Sequence, residues 1–384
     1  MFKCAIGHSD DIDTADAVAA ALNTCEQRLE GAAPQAALIF CGIDYDHAEV
    51  VRLVTERYPG IALIGCTTDG ELSTDLAFTA ESVLIALFAS DTATFRSGVG
   101  HPISSAPAAA AATAVAASRF GDERPSLVFM VSDGLTGSAD AVLRGVQAST
   151  GADVPIVGGA AGDKRRIKGT FQLHQGGVSQ DSVAVLAVYG PLHVSAGIES
   201  GWEPLGKRVI VTKSNGHMVQ EIDGKPAIEF YRHYMGVYAR GATMPAYPLG
   251  IWPANGDPFY VRSPVHIDEA TGTVIFSGEV TQGAEVQMMQ VDRPNIVRGA
   301  RASIAAAMRD FPGSEPAVIF VASCTTRNEM LGTQVAEEAR TVQQGAGDVP
   351  VFGFYAYGEY APAALNQAAR FHNETCVTVV IGQR

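Results

Sequence analysis

The stretch PAVIFVASCTT (316–326) carries the pattern that decides the fold, because the same pattern occurs twice more in the chain. It begins with proline, continues as an apolar run typical of a buried strand, and ends in polar residues. The two related stretches are PQAALIFCGID (34–44) and PSLVFMVSDG (125–134). A unit that occurs three times indicates an architecture built by duplication. Residues that differ between the copies are therefore the first candidates for function.

Each copy continues in the same order, with a helix-type stretch, a second apolar run that ends in glycine, and a further apolar strand. The helix-type stretches are DHAEVVRLVTERY (46–58), SADAVLRGVQAST (138–150) and TQVAEEARTVQQG (333–345). Ser138 is a candidate N-cap for the second, and we expect the third to stop at Gly345. The closing runs are GIALIGCTTDGE (60–71), DVPIVGGAAGD (153–163) and DVPVFGFYAYGE (348–359). Strand–helix–strand order with short links predicts a parallel strand pair with a right-handed crossover. The strands that begin at Glu81, Asp181 and Glu374 should then add antiparallel partners.

The segment 190–289 has a different pattern, in which short strands alternate with Gly and Pro turns around one helix, AIEFYRHYM (227–235). We therefore predict an α/β fold in which three strand–helix–strand repeats form mixed sheets. We place two domains at 1–220 and 221–384 and assign a β-rich insertion to the second.

Composition excludes several classes of function. The 384 residues include 41 acidic and 27 basic ones, for a formal net charge of -14, so nucleic acid is a poor partner. No stretch is long and apolar enough for membrane insertion. The six cysteines are scattered without zinc or haem-attachment spacing, and we expect no metal site. These features indicate a cytoplasmic protein with reduced thiols. The basic cluster Lys164–Arg166 is interpreted as a solvated loop.

The third copy is chemically the richest. Its first strand ends in Cys324 and Arg327, and its closing run carries Phe354, Tyr357 and Glu359, with His372 and Asn373 further on. An arginine binds a carboxylate bidentately, a glutamate binds an ammonium group, and aromatic rings supply apolar walls. We therefore predict a small-molecule pocket here. The alternative is that Arg327 and Glu359 pair structurally while the aromatic rings belong to the core.

An enzymatic function is a further alternative. Cys324 and His372 would form a nucleophile–base pair. A buried structural cysteine is much commoner, and the chain has no GxSxG nucleophile elbow. We therefore predict that the protein is not an enzyme.

Several motifs in one order resemble those of the FIST family, named for F-box and intracellular signal transduction proteins. They are GCTTDGEL, VGGAAGD, ESGWEPLG, EIDGKPAIEFY, SCTTRNEMLG, GFYAYGE and FHNET, and they cover nearly the whole chain. The resemblance implies a sensory protein with N-terminal and C-terminal FIST modules that binds an amino-acid-like metabolite. Output would pass to a separate signalling partner, and self-association of the chain stays open. By position, the family's C-terminal motif residues are Cys324, Arg327, Gly353, Tyr357, Glu359, His372 and Asn373.

One bacterial branch of the family, of similar length, consists of haem proteins that sense nitric oxide and regulate a histidine kinase. That resemblance implies haem b with an axial histidine in an apolar pocket. His193, His217, His233, His266 and His372 lie in the strand-rich and C-terminal parts. His233 and His372 are the two haem-ligand candidates that we would test first.

Overall fold

The computed structural model describes residues 1–236, 239, 241–253, 259–362 and 367–384, with the backbone alone at 241–243. The predicted α/β fold, with three strand–helix–strand repeats and mixed sheets, is confirmed. The division into domains 1–220 and 221–384 stays a prediction.

The first two repeats share one order of elements, and each begins with a strand and a helix that precede the recognised pattern. The first repeat comprises β1 (Phe2–Ser9), α1 (Thr14–Leu29), β2 (Ala36–Gly42), α2 (His47–Arg57), β3 (Ala62–Thr68), β4 (Glu71–Ser73), β5 (Ala77–Thr79) and β6 (Val83–Ser90). The second comprises β7 (Thr94–Gly100), α3 (Pro107–Ala117), β8 (Leu127–Ser132), α4 (Ala139–Thr150), β9 (Ile156–Ala160), β10 (Gln172–His174), β11 (Gly177–Ser179) and β12 (Val183–Tyr189). Each repeat thus contains a short hairpin, β4–β5 or β10–β11, that the sequence pattern did not predict.

The third repeat is interrupted by the predicted β-rich insertion. It begins with β13 (Leu192–Glu199). The insertion comprises β14 (Glu203–Asn215), β15 (Met218–Ile222), β16 (Lys225–Pro226), α5 (Ala227–Met235), a 3₁₀ helix (Gly241–Ala246), β17 (Leu249–Trp252), β18 (Tyr260–Arg262), β19 (Pro264–Asp268), β20 (Thr273–Phe276) and β21 (Glu285–Gln290). The repeat resumes with α6 (Arg293–Arg309), β22 (Val318–Cys324), α7 (Thr325–Leu331), a 3₁₀ turn (Gly332–Gln334), α8 (Val335–Ala346), β23 (Val351–Ala356), β24 (Glu359–Pro362), β25 (Ala369–His372) and β26 (Cys376–Gln383). The insertion therefore starts later than residue 190, because β13 is the first strand of the third repeat.

The three repeats form three six-stranded sheets that exchange hairpins. The strand orders are β1-β6-β2-β3-β10-β11, β25-β24-β9-β8-β12-β7 and β13-β26-β22-β23-β4-β5. The parallel pairs β2–β3, β8–β9 and β22–β23 and their antiparallel neighbours β6, β12 and β26 are as predicted. Each sheet is completed by a hairpin from another repeat: β10–β11 joins the first, β24–β25 the second and β4–β5 the third. No repeat completes its own sheet.

One face of each sheet contributes to a core that all three repeats share. Side chains alternate along a strand, so in β2 Leu38 and Phe40 point into the shared core while Ile39 packs under α1 and α2. Aromatic rings fill the centre. Phe40 stacks on Phe354 at a centroid distance of 4.2 Å. The other face of each sheet is covered by that repeat's helices.

One glycine inside the strand of each closing run serves strand packing. A Cβ atom at Gly65, Gly158 or Gly353 would come within 1.9–2.0 Å of a carbonyl oxygen on the adjacent parallel strand. Only glycine permits this approach, which explains why it occurs in all three copies. These three glycines are therefore structural.

The helix boundaries agree with the sequence patterns in two repeats and differ in the third. The Ser138 hydroxyl accepts a hydrogen bond from the Ala141 amide and caps α4, as predicted. The expected helix stop at Gly345 is wrong, because α8 continues to Ala346 and a left-handed Gly347 follows it. Gly345 instead lies against Ile304 of α6, where a Cβ would approach the isoleucine side chain to 2.6 Å.

Candidate functional site

A cavity of about 730 Å³ lies where the second repeat, the third repeat and the insertion meet. The second repeat contributes the turn 133–139 after β8 and two side chains, Arg165 and Ile167, from the link between β9 and β10. The third repeat contributes the end of β22 and the start of α7. The insertion forms the facing wall with Ser263, Val265, His266, Ile275 and Ser277.

Hairpin exchange explains why these elements meet. Tyr357 precedes the β24–β25 hairpin and Asn373 follows it, and both line the cavity. Because this hairpin pairs with β9 of the second sheet, it brings residues of the third repeat to the carboxyl end of β8. Ligands of open α/β sheets bind beyond the carboxyl ends of strands, and two such ends, of β8 and β22, meet here.

The floor of the cavity contains a polar atom that has no hydrogen-bond partner within the described part of the chain. It is the amide nitrogen of Asn373, a residue that is only 1% exposed, whereas the equally buried Thr325 hydroxyl beside it lies close to the Asp69 carboxyl group. The Asn373 side chain is oriented by Ser277, whose hydroxyl donates to Asn373 Oδ1 at 2.8 Å. Buried polar groups nearly always have a partner. The floor is therefore where a ligand or ordered water completes the structure.

Two buried carboxyl groups, Glu359 and Glu374, lie behind this floor. Thr375 donates its hydroxyl proton to Glu359 Oε2 at 2.5 Å, but Glu359 Oε1 and both oxygens of Glu374 lack a hydrogen-bond partner among the described residues. Burial raises the pKa of Glu374 to about 7, and it raises the pKa of Glu359 well above its ordinary value. Glu374 lies close to the hydroxyl groups of Ser263 and Thr326, both of which line the cavity. Burial therefore favours the neutral form of both carboxyl groups behind this side of the cavity.

Arg165 supplies a cationic wall. Its Nε and Nη2 atoms donate to the two carboxylate oxygens of Glu329 at 2.9 and 3.3 Å, and Nη2 also donates to the Thr326 hydroxyl at 3.0 Å. The guanidinium carbon lies 5.4 Å from the centre of the Tyr357 ring. The cluster Lys164–Arg166 is partly exposed, as expected for a loop, but each of its three side chains forms an ion pair and Arg165 lines the cavity.

The mouth of the cavity is apolar. Ile167 and Val265 are 63% and 52% exposed, and both line the cavity. Ile275, Phe276 and Phe371 continue this apolar surface inward. The cavity therefore combines a polar floor, one arginine and an apolar entrance, which suits a small amphipathic molecule.

Three of the predicted site residues, Cys324, Tyr357 and Asn373, line this cavity. The Tyr357 hydroxyl donates to Asp163 at 2.6 Å and accepts from the Arg165 amide, so the ring is held in place. The Cys324 thiol is buried, and burial raises its pKa well above the ordinary value. The nearby Glu374 and Glu359 carboxyl groups raise this pKa further. A thiolate nucleophile is therefore disfavoured.

The other predicted residues do not line the cavity. Arg327 is fully buried and ion-paired with Glu338 at 2.9 Å, so the structural pairing considered for it exists, with a partner other than Glu359. Phe354 lies in the shared core, and Glu359 lies behind the floor. His372 is buried, and its Nε2 is 3.0 Å from the Ala361 carbonyl oxygen. His233 is exposed on α5 with its ring against Tyr234.

Sequence reasoning missed most of the cavity wall. Asp133, Thr136, Arg165, His266 and Ser277 line it, yet they come from the second repeat and the insertion. Asp133 accepts hydrogen bonds from the Leu135, Thr136 and Asp181 amides and so shapes the turn after β8. The sequence offered one signal for this wall: Arg165 belongs to a basic cluster that follows the closing run in the second repeat and is missing from the first and third.

Two further features of the described residues limit the chemistry. No group of three or more His, Cys, Asp or Glu side chains in the described ranges could hold a metal ion. Among the helices that the structure describes, none has the length and apolar character needed to cross a membrane.

By fold and site, the chain is a three-repeat α/β protein with an amphipathic cavity between repeats. It belongs to the FIST family: the FIST N domain matches residues 35–225 and the FIST C domain matches residues 227–362. FIST domains are associated with signalling, which is consistent with a sensory role.

The chain is also similar to several curated proteins, whose printed names call them uncharacterized. A Methanocaldococcus jannaschii protein is 25% identical over 261 residues, which is 59% of this chain and 48% of that protein. A Mycobacterium tuberculosis protein is 26% identical over 223 residues, 56% of this chain and 57% of that protein. The matches thus span about half the length of these relatives.

Among solved structures, the chain is similar to the crystal structure of a cyanuric acid hydrolase from A. caulinodans. The TM-score is 0.41 with 9% sequence identity, and the superposition covers 100% of both chains. A likeness this low carries no argument about function.

Proposed function

We propose that this protein is a cytoplasmic sensor that binds a small amino-acid-like metabolite, or a similar molecule, in the cavity between the second and third repeats. The observation that carries the proposal is a buried polar atom on the cavity floor, Asn373 Nδ2, that has no hydrogen-bond partner among the described residues. The membership of the chain in a signalling-associated family supports a sensory rather than a catalytic role. The signal would pass to a separate partner, such as a histidine kinase.

The chemistry of the walls supports an amphipathic ligand. Arg165 offers a site for a carboxylate, Asp133 offers one for an ammonium group, and Ile167 with Val265 would cover an apolar portion. The assignment of the carboxylate contact moves from Arg327 to Arg165, because Arg327 is enclosed in an internal ion pair.

A thermal-shift screen over amino acids and related metabolites tests the proposal. A ligand at about 100 times its Kd adds about 2.7 kcal/mol to the free energy of unfolding and so raises the melting temperature. Ala139→Trp would fill the cavity, since Ala139 lines it at the start of α4. Ala112→Trp, at an exposed alanine of α3, is the matched control. We expect hits with wild type and Ala112→Trp that Ala139→Trp lacks. Hits unaffected by Ala139→Trp, or no hit at all, would count against the cavity.

A haem-b nitric oxide sensor is a second candidate, favoured by two histidines, His217 and His266, that line the cavity. The predicted ligands do not fit a haem there: His372 is buried against the Ala361 carbonyl and His233 is exposed on α5. An absorption spectrum of haem-loaded protein tests this candidate. A Soret band that His217→Ala or His266→Ala removes would support it, and a featureless spectrum would exclude it.

Neither residue of the suggested nucleophile–base pair supports the enzymatic alternative. Burial and nearby carboxyl groups favour the neutral Cys324 thiol, whereas an activated nucleophile needs a lowered pKa. His372, the expected base, instead has its Nε2 against a backbone carbonyl.

A further inference from the structure

The link from the strand of the closing run to the next strand (β3 to β4, β9 to β10 and β23 to β24) differs in length between the three repeats. It consists of two residues in the first repeat, 69–70, and two in the third, 357–358. In the second repeat it runs from 161 to 171. This long link carries Arg165 and Ile167 to the cavity. Duplication supplied the scaffold, so a segment that only one copy lengthens is a candidate for a specific function.

The tip of this link has an unfavourable backbone conformation and is anchored by two ion pairs. Lys164, Arg165 and Ile167 have φ values of 57°, 56° and 51°, in the left-handed region that β-branched isoleucine strongly disfavours. Lys164 pairs with Glu81, and Arg166 pairs with Asp44, both in the first repeat. Strain of this kind persists where the surroundings impose it, and it concentrates at ligand sites. Lys164 and Arg166 thus form ion pairs outside the cavity, and of the three cations only Arg165 lines it.

Most contacts of Arg165 do not depend on Glu329. Its amide donates to the Tyr357 hydroxyl at 2.6 Å, its guanidinium lies over the Tyr357 ring, and its Nη2 donates to the Thr326 hydroxyl. These contacts orient the guanidinium before any anion arrives. Glu329 then occupies the Nε–Nη2 edge with both carboxylate oxygens, in the forked geometry that a ligand carboxylate would also adopt.

We propose that Arg165 is an oxyanion subsite of the cavity, closed by the chain's own Glu329, which a ligand carboxylate displaces. This proposal rests on the proposed function, since the same cavity holds the rest of the ligand. The Glu329 side chain is 43% exposed, and ion pairs at such exposure contribute little to stability, so displacement is inexpensive. The displaced glutamate is repelled by the incoming anion and moves into solvent.

The apolar entrance determines the rest of the ligand class. Ile167 and Val265 are large side chains held in solvent at the mouth, and a bound alkyl chain would cover both. The class is therefore a monocarboxylate with a short apolar chain, with or without an amine that reaches Asp133.

Calorimetric titration of the full chain at constant ionic strength tests the subsite with hexanoate and the matched neutral hexanamide. Glu329→Gln removes the internal competitor, and we expect hexanoate to bind about three to five times more tightly. Arg165→Gln should weaken hexanoate binding by about tenfold or more, because the charge-assisted pair is lost. Hexanamide affinity should change less than about twofold in both variants.

Arg166→Gln is the matched control for damage to the link, since it removes the neighbouring ion pair without touching the cavity wall. Equal loss of hexanoate affinity in Arg165→Gln and Arg166→Gln would overturn the subsite, as would a Glu329→Gln variant that binds hexanoate no better than wild type. If hexanoate and hexanamide bind equally and Ala139→Trp abolishes both, the cavity stands and the subsite falls. If Ala139→Trp leaves both unchanged, the proposed function falls as well.

Discussion

Replacing Arg327 by leucine should destabilise the protein strongly while leaving the cavity intact. The guanidinium is enclosed by three elements: it donates to Glu338 of α8 at 2.9 and 3.1 Å, to the Ile296 carbonyl of α6 at 2.9 Å, and to the Ser200 carbonyl before β14. Glu338 is equally buried and accepts from the Ser323 hydroxyl. Arg327 thus connects the insertion boundary to the helical layer of the third repeat.

The magnitude follows from what the substitution leaves behind. Arg327→Leu leaves a buried, charged Glu338, the buried Ile296 carbonyl and the partly buried Ser200 carbonyl without their donor. Breaking a buried ion pair by removing one partner costs about 3–5 kcal/mol. The matched exposed pair, Arg298 with Glu203, is worth about 0–1 kcal/mol, so Arg298→Leu is the control. A double variant, Arg327→Leu with Glu338→Leu, should recover part of the loss because no unpaired charge remains.

Urea unfolding of the three variants measures these differences, and titration with any cavity ligand at low temperature measures affinity in the folded state. We expect Arg327→Leu to lose at least about 2 kcal/mol more than Arg298→Leu with an unchanged ligand Kd. A loss similar to that of the control would refute the structural role. A folded Arg327→Leu protein with a tenfold weaker Kd would restore the original prediction that Arg327 binds the ligand.

Three further outcomes are expected. Burial raises the pKa of Glu374 from 4.5 to about 7, so the folded state disfavours its charged form. The free energy of unfolding should therefore be highest below pH 4.5 and fall by about 3 kcal/mol as the pH rises through 7. Urea midpoints across this range should fall less for Glu374→Gln, and parallel pH profiles would disprove the assignment. The buried Cys324 thiol should react with iodoacetamide at pH 8 far more slowly in native protein than in urea, as mapped by mass spectrometry; equal rates would contradict its burial. Phe354→Ala should cost about 3–5 kcal/mol in urea unfolding, because it empties a shared core position stacked on Phe40; a loss below 1 kcal/mol would indicate that the three sheets do not share that core.

Local pattern was sufficient to predict the repeats. The runs that became β2, β8 and β22 are continuous apolar stretches, and the helix after the second begins at the predicted cap, Ser138. Pairing direction followed from connection length. These features depend on residues that are close together in the chain, and they could therefore be predicted from the sequence.

Hairpin exchange was not predictable from the same information. β4, β5, β10 and β11 have three residues each, too short for a periodic signal, and the sheet that each joins depends on the whole assembly. The site depends on this exchange. Tyr357 and Asn373 were identified from the third copy alone, but the second repeat supplies the wall that faces them, including Asp133 and Arg165.

Contacts between residues distant in sequence also explain why the predicted roles of Arg327 and Arg165 differ from their places in the structure. Arg327 follows a strand end, where a ligand contact is a reasonable expectation, but its acidic partner Glu338 lies on the outer face of the sheet with α8. Arg165 looked like part of a solvated cluster because its commitment to the cavity depends on partners far away in sequence, such as Glu329. Burial and pairing of a charged side chain are properties of the folded chain.

The central claim is that the ligand binds between the second and third repeats, and hydrogen–deuterium exchange with a hit from the thermal-shift screen tests it most directly. We predict slower exchange on ligand addition in peptides that cover 133–139, 161–171, 263–278 and 324–329, because these segments line the cavity or carry its walls. Protection confined to another surface, such as the shallow hollow around 115–125, with no change in these four segments, would contradict the account.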